Sequence, residues 1–168
     1  MPDIAIFPAR RRSDLPLVRE LAHRVWERHY PGIITHAQIA YMLANGYSDD
    51  ALAPFTEEAG AGLALVHVDY DPAGFAAWRR AEEPATTKLD KLYVMQEVQG
   101  RGLGRRLVAH VEQAARADGS TKLVLNVNKQ NKASIAFYER CGFALREPVV
   151  VDIGGGFVMD DFVMAKAL

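Results

Sequence analysis

"VQGRGLGRRL", Val98 to Leu107, sets three glycines among basic residues immediately before an apolar-periodic run. Gly100, Gly102 and Gly104 alternate with Arg101 and Leu103, and Arg105 and Arg106 follow. A glycine loop that opens a helix points free N–H groups and the positive end of the helix dipole the same way, which makes an anion site. The same residues also serve as a plain turn. A dinucleotide-binding loop would read G-x-G-x-x-G and a Walker loop would end in G-K-[ST]; neither is present. What remains is a short loop delivering several N–H groups to a helix N-terminus. That geometry suits a diphosphate, with Arg101, Arg105 and Arg106 to complement its charge. On these residues alone, cradle and turn both stand.

On the C-terminal side of the loop, Leu103, Leu107, Val108, Val111 and Ala115 recur at helical spacing. They predict a helix from about Leu103 to Ala117 with Gly119 as its C-cap. Lys122–Val127 reads as a buried strand, and Lys132–Arg140 as a helix that Gly142 ends. Val149–Ile153 and Phe157–Met164 read as two strands around "GGG". On the N-terminal side, Thr87–Val94 is a strand. Before it, Leu63–Val68 and Phe75–Arg79 form a hairpin with "DYDPAG", Asp69–Gly74, as its turn. Asp14–Tyr30 is a helix carrying Leu17, Val18, Leu21, Val25 and Trp26 on one stripe, with Pro16 in its first turn. A second helix starts at the T-x-x-Q capping box of Thr35 and Gln38 and stops at Asn45–Gly46. Ile4–Phe7 is a short first strand. The order is β-α-α-β-β-β-α-β-α-β-β in one unit over residues 1–168, without repeats or linkers.

Composition excludes several classes. The chain has 168 residues, 49% hydrophobic and 24% charged, which is ordinary for one globular domain with a sizeable core. Its 20 basic and 21 acidic residues leave a net charge of −1, so nucleic acid is not the expected partner. The local patch "ARRRSD", Ala9–Asp14, reads as a solvated strand end. No apolar stretch approaches the ~20 residues that span a bilayer. The single cysteine, Cys141, forms no internal disulfide, and the N-terminus lacks the layout of a signal peptide. A cytoplasmic protein with no membrane partner is expected, and no metal.

The segment "NVNKQNKASIAFYERCGF", Asn126–Phe143, carries the second motif. Asn131 is a good N-cap. Asn131, Ser134 and Tyr138, at i, i+3 and i+7, share one helix face, while Ala133, Ala136 and Phe137 occupy another. The polar stripe either faces a ligand or is a solvated face with Tyr138 as an anchor. Together these residues carry a resemblance. "QGRGLG", Gln99–Gly104, is similar to the Q/R-x-x-G-x-G/A motif of the GNAT superfamily of acetyl-CoA-dependent N-acetyltransferases. "LYV" (Leu92–Val94) before it and N-x-x-A-x-x-F-Y-x-x-x-G-F (Asn131–Phe143) after it fall at that family's spacing. The resemblance covers nearly the whole chain.

The resemblance implies an α/β (α+β) fold, a mixed central sheet of about seven strands flanked by about four helices, and acetyl-CoA as cosubstrate. The backbone of Tyr93, Val94 and Met95 would pair with the pantetheine arm. The amides of Arg101, Gly102, Leu103, Gly104, Arg105 and Arg106 would hold the pyrophosphate. Gln99, Gly100, Asn126, Asn131 and Ser134 join the cofactor contacts, with Tyr138 near the sulfur. Tyr138 would protonate the departing thiolate, a backbone N–H near Met95 would stabilise the oxyanion, and Asp90 is the leading base. Asp90 as a mere partner for Lys88 or Lys91 stands equally, and Cys141 reads as a small buried hydrophobe rather than a nucleophile. The family's usual proline after the fourth strand is replaced here by Gln96, and its usual carboxylate on that strand has no obvious counterpart. The acceptor, a primary amine such as a polyamine, would lie between the first two helices and the last hairpin. Trp26, His29, Tyr30 and Tyr41 would line that site, with the acidic pair Asp160 and Asp161 at its mouth and Asp160 as contact. A non-catalytic acetyl-CoA-binding module, and an enzyme acting on a protein or peptide amine, are the alternatives. A homodimer is allowed.

Overall fold

Period-two alternation on the middle strands sends side chains to both faces of a sheet, and the helices cover both. The computed structural model describes all 168 residues. Its elements are β1 (Ile4–Pro8), α1 (Leu15–His29), α2 (His36–Gly46), the single turns α3 (Asp49–Leu52) and α4 (Pro54–Glu57), β2 (Gly62–Val68), β3 (Asp71–Arg80), β4 (Thr86–Val94), α5 (Leu103–Ala117), β5 (Lys122–Asn128), α6 (Lys132–Arg140), β6 (Ala144–Gly154) and β7 (Phe157–Ala167). The seven strands form one sheet in the order β1-β2-β3-β4-β5-β7-β6. Ala64 and Val66 of β2 pack on Leu103, Leu107 and Val111 of α5. Their neighbours Leu63 and Leu65 pack on the other side with Leu15, Val18 and Leu21 of the α1 region. Both faces are therefore core, which is why β2 and β3 read as nearly continuous apolar runs.

The one parallel pair decides where a site can form. β4 pairs with β5 only through Thr86↔Lys122, Thr87↔Leu123 and Lys88↔Val124. Beyond those residues β4 stays on β3 and β5 stays on β7, so the two strands part and leave a V-shaped cleft inside the sheet. The closed end is pinned by a buried hydroxyl pair, Thr87 Oγ1 to Ser120 Oγ at 2.8 Å. The register between β3 and β4 shifts at Ala77/Trp78 and leaves Asp90 as the extra residue of a bulge. Such bulges bend a strand and re-aim a side chain.

The helix predicted from Leu103 to Ala117 has those bounds, and Gly119 follows it at φ +85°. Thr35 caps α2 by accepting from Gln38 N–H at 3.2 Å. Gln38 does not reach back to complete the box; its Nε2 donates to Val158 O at 2.8 Å and ties α2 to β7. The "DYDPAG" turn is tighter than expected. Asp69 and Tyr70 alone make it, both at positive φ (49° and 73°), and Pro72 and Gly74 already belong to β3. Glycine is required at 74, where a Cβ would lie 2.4 Å from Tyr93 O. The final strands are also longer than the apolar pattern indicated, 11 residues each, because β6 is an exposed edge whose polar residues carry no apolar signal. The short turns α3 and α4 were not expected. The "ARRR" patch is solvated as expected, with Arg12 Nε on Glu57 at 3.1 Å.

Candidate active site

Two cavities open from the cleft, one on each side of Tyr138. The first, of about 480 Å³, runs along Leu92, Val94, Gln99, Gly100, Gly102, Leu103, Gly104 and Arg105, with Ala133, Ser134, Phe137 and Arg140 of the α6 side opposite. The second, of about 380 Å³, lies among Trp26, Tyr30, Met42, Tyr47, Asp90, Tyr93, Asn126, Asn131, Val151, Met159 and Asp161. Leu92, Ser134 and Tyr138 line both.

The first cavity is built around the glycine loop. Gly102 is the N-cap of α5, at φ +76°, and no side chain caps the helix. The intrahelical ladder opens with Arg106 N–H donating to Gly102 O at 3.1 Å. The amides of Gly100, Arg101, Gly102, Leu103, Gly104 and Arg105 have no acceptor within the chain. Consecutive donors at a helix N-terminus form a concave anion site. The expected Arg106 amide is excluded from it, being consumed by the helix. The expected charge complement also changes. Arg105 faces the groove, but Arg101 lines a separate depression with Asp69 and Asp71, and Arg106 lies outside both cavities. Arg140, which sequence reasoning missed, supplies the second cation at the groove. Gly104 has a different role from the one expected: a Cβ there would meet the Phe137 ring at 3.0 Å, so its bareness lets α5 pack on α6.

Backbone direction along β4 follows from one bond. Met95 N–H donates to Ala73 O at 2.8 Å. It is spent on β3, so Met95's own N–H cannot be the oxyanion donor expected near the end of this strand. Alternation along the strand then turns the backbone groups of Leu92 and Val94 to the open edge. Gln99 Nε2 donates to Val94 O at 3.2 Å, which agrees with that direction. Met95 itself is buried in the α1 core.

Asn131 is 4% exposed and caps α6, its Oδ1 accepting Ser134 N–H at 3.3 Å. The same oxygen accepts from His29 Nε2 at 3.1 Å, a bond that joins α1 to α6 across the cleft. His29 thus faces the glycine-loop groove, not the second cavity where it was expected. Tyr138 is buried, which pushes its phenol well above the ordinary range and keeps it protonated. Cys141 is a buried core residue whose thiol burial also raises.

In the second cavity Trp26 and Tyr30 are lining residues as expected. Tyr30 Oη lies 3.1 Å from Tyr93 Oη, and burial raises the Tyr30 phenol to about 12. Tyr41 is not in this wall. It donates to Ile153 O at 2.9 Å and covers the glycine turn, where a Cβ at Gly155 would meet its ring at 2.5 Å. Met42, its neighbour on α2, takes the place in the cavity. Asp90 reaches the cavity, but its oxygens are engaged, Oδ2 by Lys91 Nζ at 3.1 Å and Oδ1 by Arg79 Nη2 at 3.5 Å. Asp160 is exposed and ion-paired with Lys129. Strand alternation sends Asp160 outward and Asp161 inward, beside Met159. Asp161 is 3% exposed, its Oδ1 buried without a hydrogen-bond partner, and desolvation raises its carboxyl to about 6, with Asp160 adding to the shift and Lys88 and Lys129 opposing it.

Comparison with known proteins fits this geometry. The family model described as the acetyltransferase (GNAT) family matches residues 19–143. The 5-NmdU N-acetyltransferase of Pseudomonas phage PaMx11 is 36% identical over 94 residues, 54% of this chain and 65% of the phage protein. The chain thus spans under two thirds of that relative's length. The spermidine N(1)-acetyltransferase of Thermoplasma acidophilum is 25% identical over 158 residues, 92% of this chain and 91% of that one. The solved structure of the PaiA N-acetyltransferase of Thermoplasma acidophilum in complex with coenzyme A has the same fold, with a TM-score of 0.83 at 23% identity over 99% of both chains. The model match covers most of the chain, including the glycine loop and the α6 motif, and the chain belongs to the acetyltransferase (GNAT) family.

Proposed function

We propose that this protein moves an acetyl group from acetyl-CoA to a primary amine by direct transfer in a ternary complex. The observation that carries the reading is the meeting of two cavities at Tyr138, one lined by the glycine loop with its partnerless amides and the other by aromatic rings and a buried carboxylate. The amides from Gly100 to Arg105, with Arg105 and Arg140, would hold the pyrophosphate. The open edge of β4 at Leu92 and Val94 would pair with the pantetheine arm, and an outward N–H of that edge would meet the developing oxyanion. Asn126, Asn131 and Ser134 would flank the arm, bringing the thioester to Tyr138. Tyr138 would then protonate the leaving sulfur, and its raised pKa keeps the donor charged with its proton at working pH.

The acceptor is a small aliphatic amine such as a polyamine. The second cavity is of molecular rather than macromolecular size, about 380 Å³, with methionine, valine and isoleucine walls for a methylene chain. The similarity to a spermidine N(1)-acetyltransferase over nearly the full chain supports the same class. The test is a panel of diamines, polyamines, amino acids and lysine peptides with acetyl-CoA, read as free thiol release. Turnover with polyamines is expected, with KM rising as salt screens the attraction to the carboxylates. Thiol release with peptides or amino acids alone would overturn the acceptor. Coenzyme A binding with no turnover on any amine would replace the enzyme with a binding module.

A further inference from the structure

Resting on the transferase reading, we propose that Asp161 receives the acceptor's ammonium group in the second cavity and takes its proton, the role that the sequence pointed to at Asp90. Buried carboxylates are normally ion-paired or hydrogen-bonded, because an uncompensated one is costly to desolvate. Asp90 obeys this rule through Lys91 and Arg79. Asp161 breaks it: it is 3% exposed, and its Oδ1 is buried with no partner. Of the two cations that act on it, Lys129 is spent on Asp160, and neither Lys129 nor Lys88 forms an ion pair with it.

The surroundings define the missing partner. The charged and titratable groups close enough to act on Asp161 are Lys88 from β4, Lys129 from the turn after β5, its outward-pointing neighbour Asp160 on β7, and Tyr30 from α1. The register sets Asp161 between Asn128 of β5 and Val149 of β6, at the cleft end of β7. The cavity it shares with Tyr138 is walled by Trp26 and Tyr30, whose ring faces favour a cation. An ammonium fits this combination and an acid does not. The carboxyl titrates at about 6, so it is ionised at neutral pH and is still a stronger base than an ordinary aspartate.

Asp161 takes one proton from the ammonium nitrogen, whose own pKa falls as the cavity desolvates it. The freed lone pair forms a C–N bond to the thioester carbonyl carbon. The C–S bond breaks with its electron pair leaving on sulfur, which takes a proton from Tyr138. The second proton shed by the nitrogen restores Tyr138, and Asp161 releases its proton to solvent.

The test uses the full chain, with spermidine as probe. In wild type, kcat/KM should show an acid limb near pH 6. In Asp161→Asn that limb should vanish and kcat/KM fall by about 10²–10⁴-fold, while calorimetry shows coenzyme A binding retained. A limb that persists in Asp161→Asn and disappears in Asp90→Asn would overturn the assignment. Carboxyl ¹³C titration of the wild-type protein reads the same group without turnover. The Asp161 signal should titrate near pH 6 and move to lower pH when spermidine is added. A signal that ignores spermidine would overturn the assignment whatever the activity. A signal that responds, in a protein that acetylates no amine, would overturn the transferase reading and the proton-transfer half of this one together.

Discussion

Tyr138 sits where the two cavities meet, packed on Phe137 and Phe143 with ring centroids 5.2 and 5.6 Å away. Tyr138→Phe keeps that packing and removes only the proton. With chemistry rate-limiting, kcat should fall by about 10²–10⁴-fold while coenzyme A affinity holds. Full kcat in the variant would make Tyr138 a packing residue. Because burial raises this phenol, the wild-type rate should show no alkaline loss from it below about pH 10. Two of the loop's three glycines, Gly102 and Gly104, separate by cause. Gly102 needs its positive φ and has open space where a Cβ would go, whereas Gly104 is at an ordinary helical φ but close to Phe137. Gly102→Ala should therefore cost about 1–2 kcal/mol of conformational strain. Gly104→Val should force α5 and α6 apart and weaken coenzyme A binding by more than tenfold, read by calorimetry. Equal affinity in a folded Gly104→Val protein would sink that account. These roles were half legible: the letters G-x-G show that a bare backbone is wanted, but not whether conformation or contact demands it.

At the scale of elements, the cleft exists because β4 and β5 pair over three residues and then follow different partners. The bulge at Asp90 lies just past the split, and the open edge of β4 begins there. The last hairpin closes one side of the second cavity and is held by α2, through Gln38 to Val158 O and Tyr41 to Ile153 O. Tyr41→Phe should lower stability by about 0.5–1.5 kcal/mol, the worth of one such hydrogen bond, measured by urea denaturation. Its KM for amine should change little if the hairpin stays in place; a large KM change with unaltered stability would restore Tyr41 to the acceptor wall. The boundaries of α5 and α6 were legible because caps and apolar stripes are local chemistry. The extent of β6 was not, since a solvent-facing edge strand has no periodic burial to display.

For the whole molecule, Asp161 links the site to folding. Its carboxyl is raised from 3.8 to about 6, so between those values the folded protein keeps a proton that the unfolded chain has lost. Stability from this group therefore falls as pH rises through that window and stays lower above it. Asp161→Asn should be more stable than wild type above about pH 6, on the order of 1–3 kcal/mol, with the difference vanishing below about pH 4. Urea denaturation at both ends of the range checks this, and no gain at neutral pH would show that the carboxylate is compensated. No helix is long and apolar enough to cross a membrane. The sequence by itself determined the order of the seven strands and the four longer helices, the bounds of the glycine-loop helix, and the family, because each rests on residues adjacent in the chain. Tertiary structure decided the rest. It showed that Met95 and Arg106 amides are spent, that His29 crosses to Asn131, that Tyr41 anchors a turn, and that Asp161 rather than Asp160 faces inward. Each of those depends on which strand lies beside which and on the pleat that turns one residue in and the next out, and pairing between distant segments is written only in the folded chain.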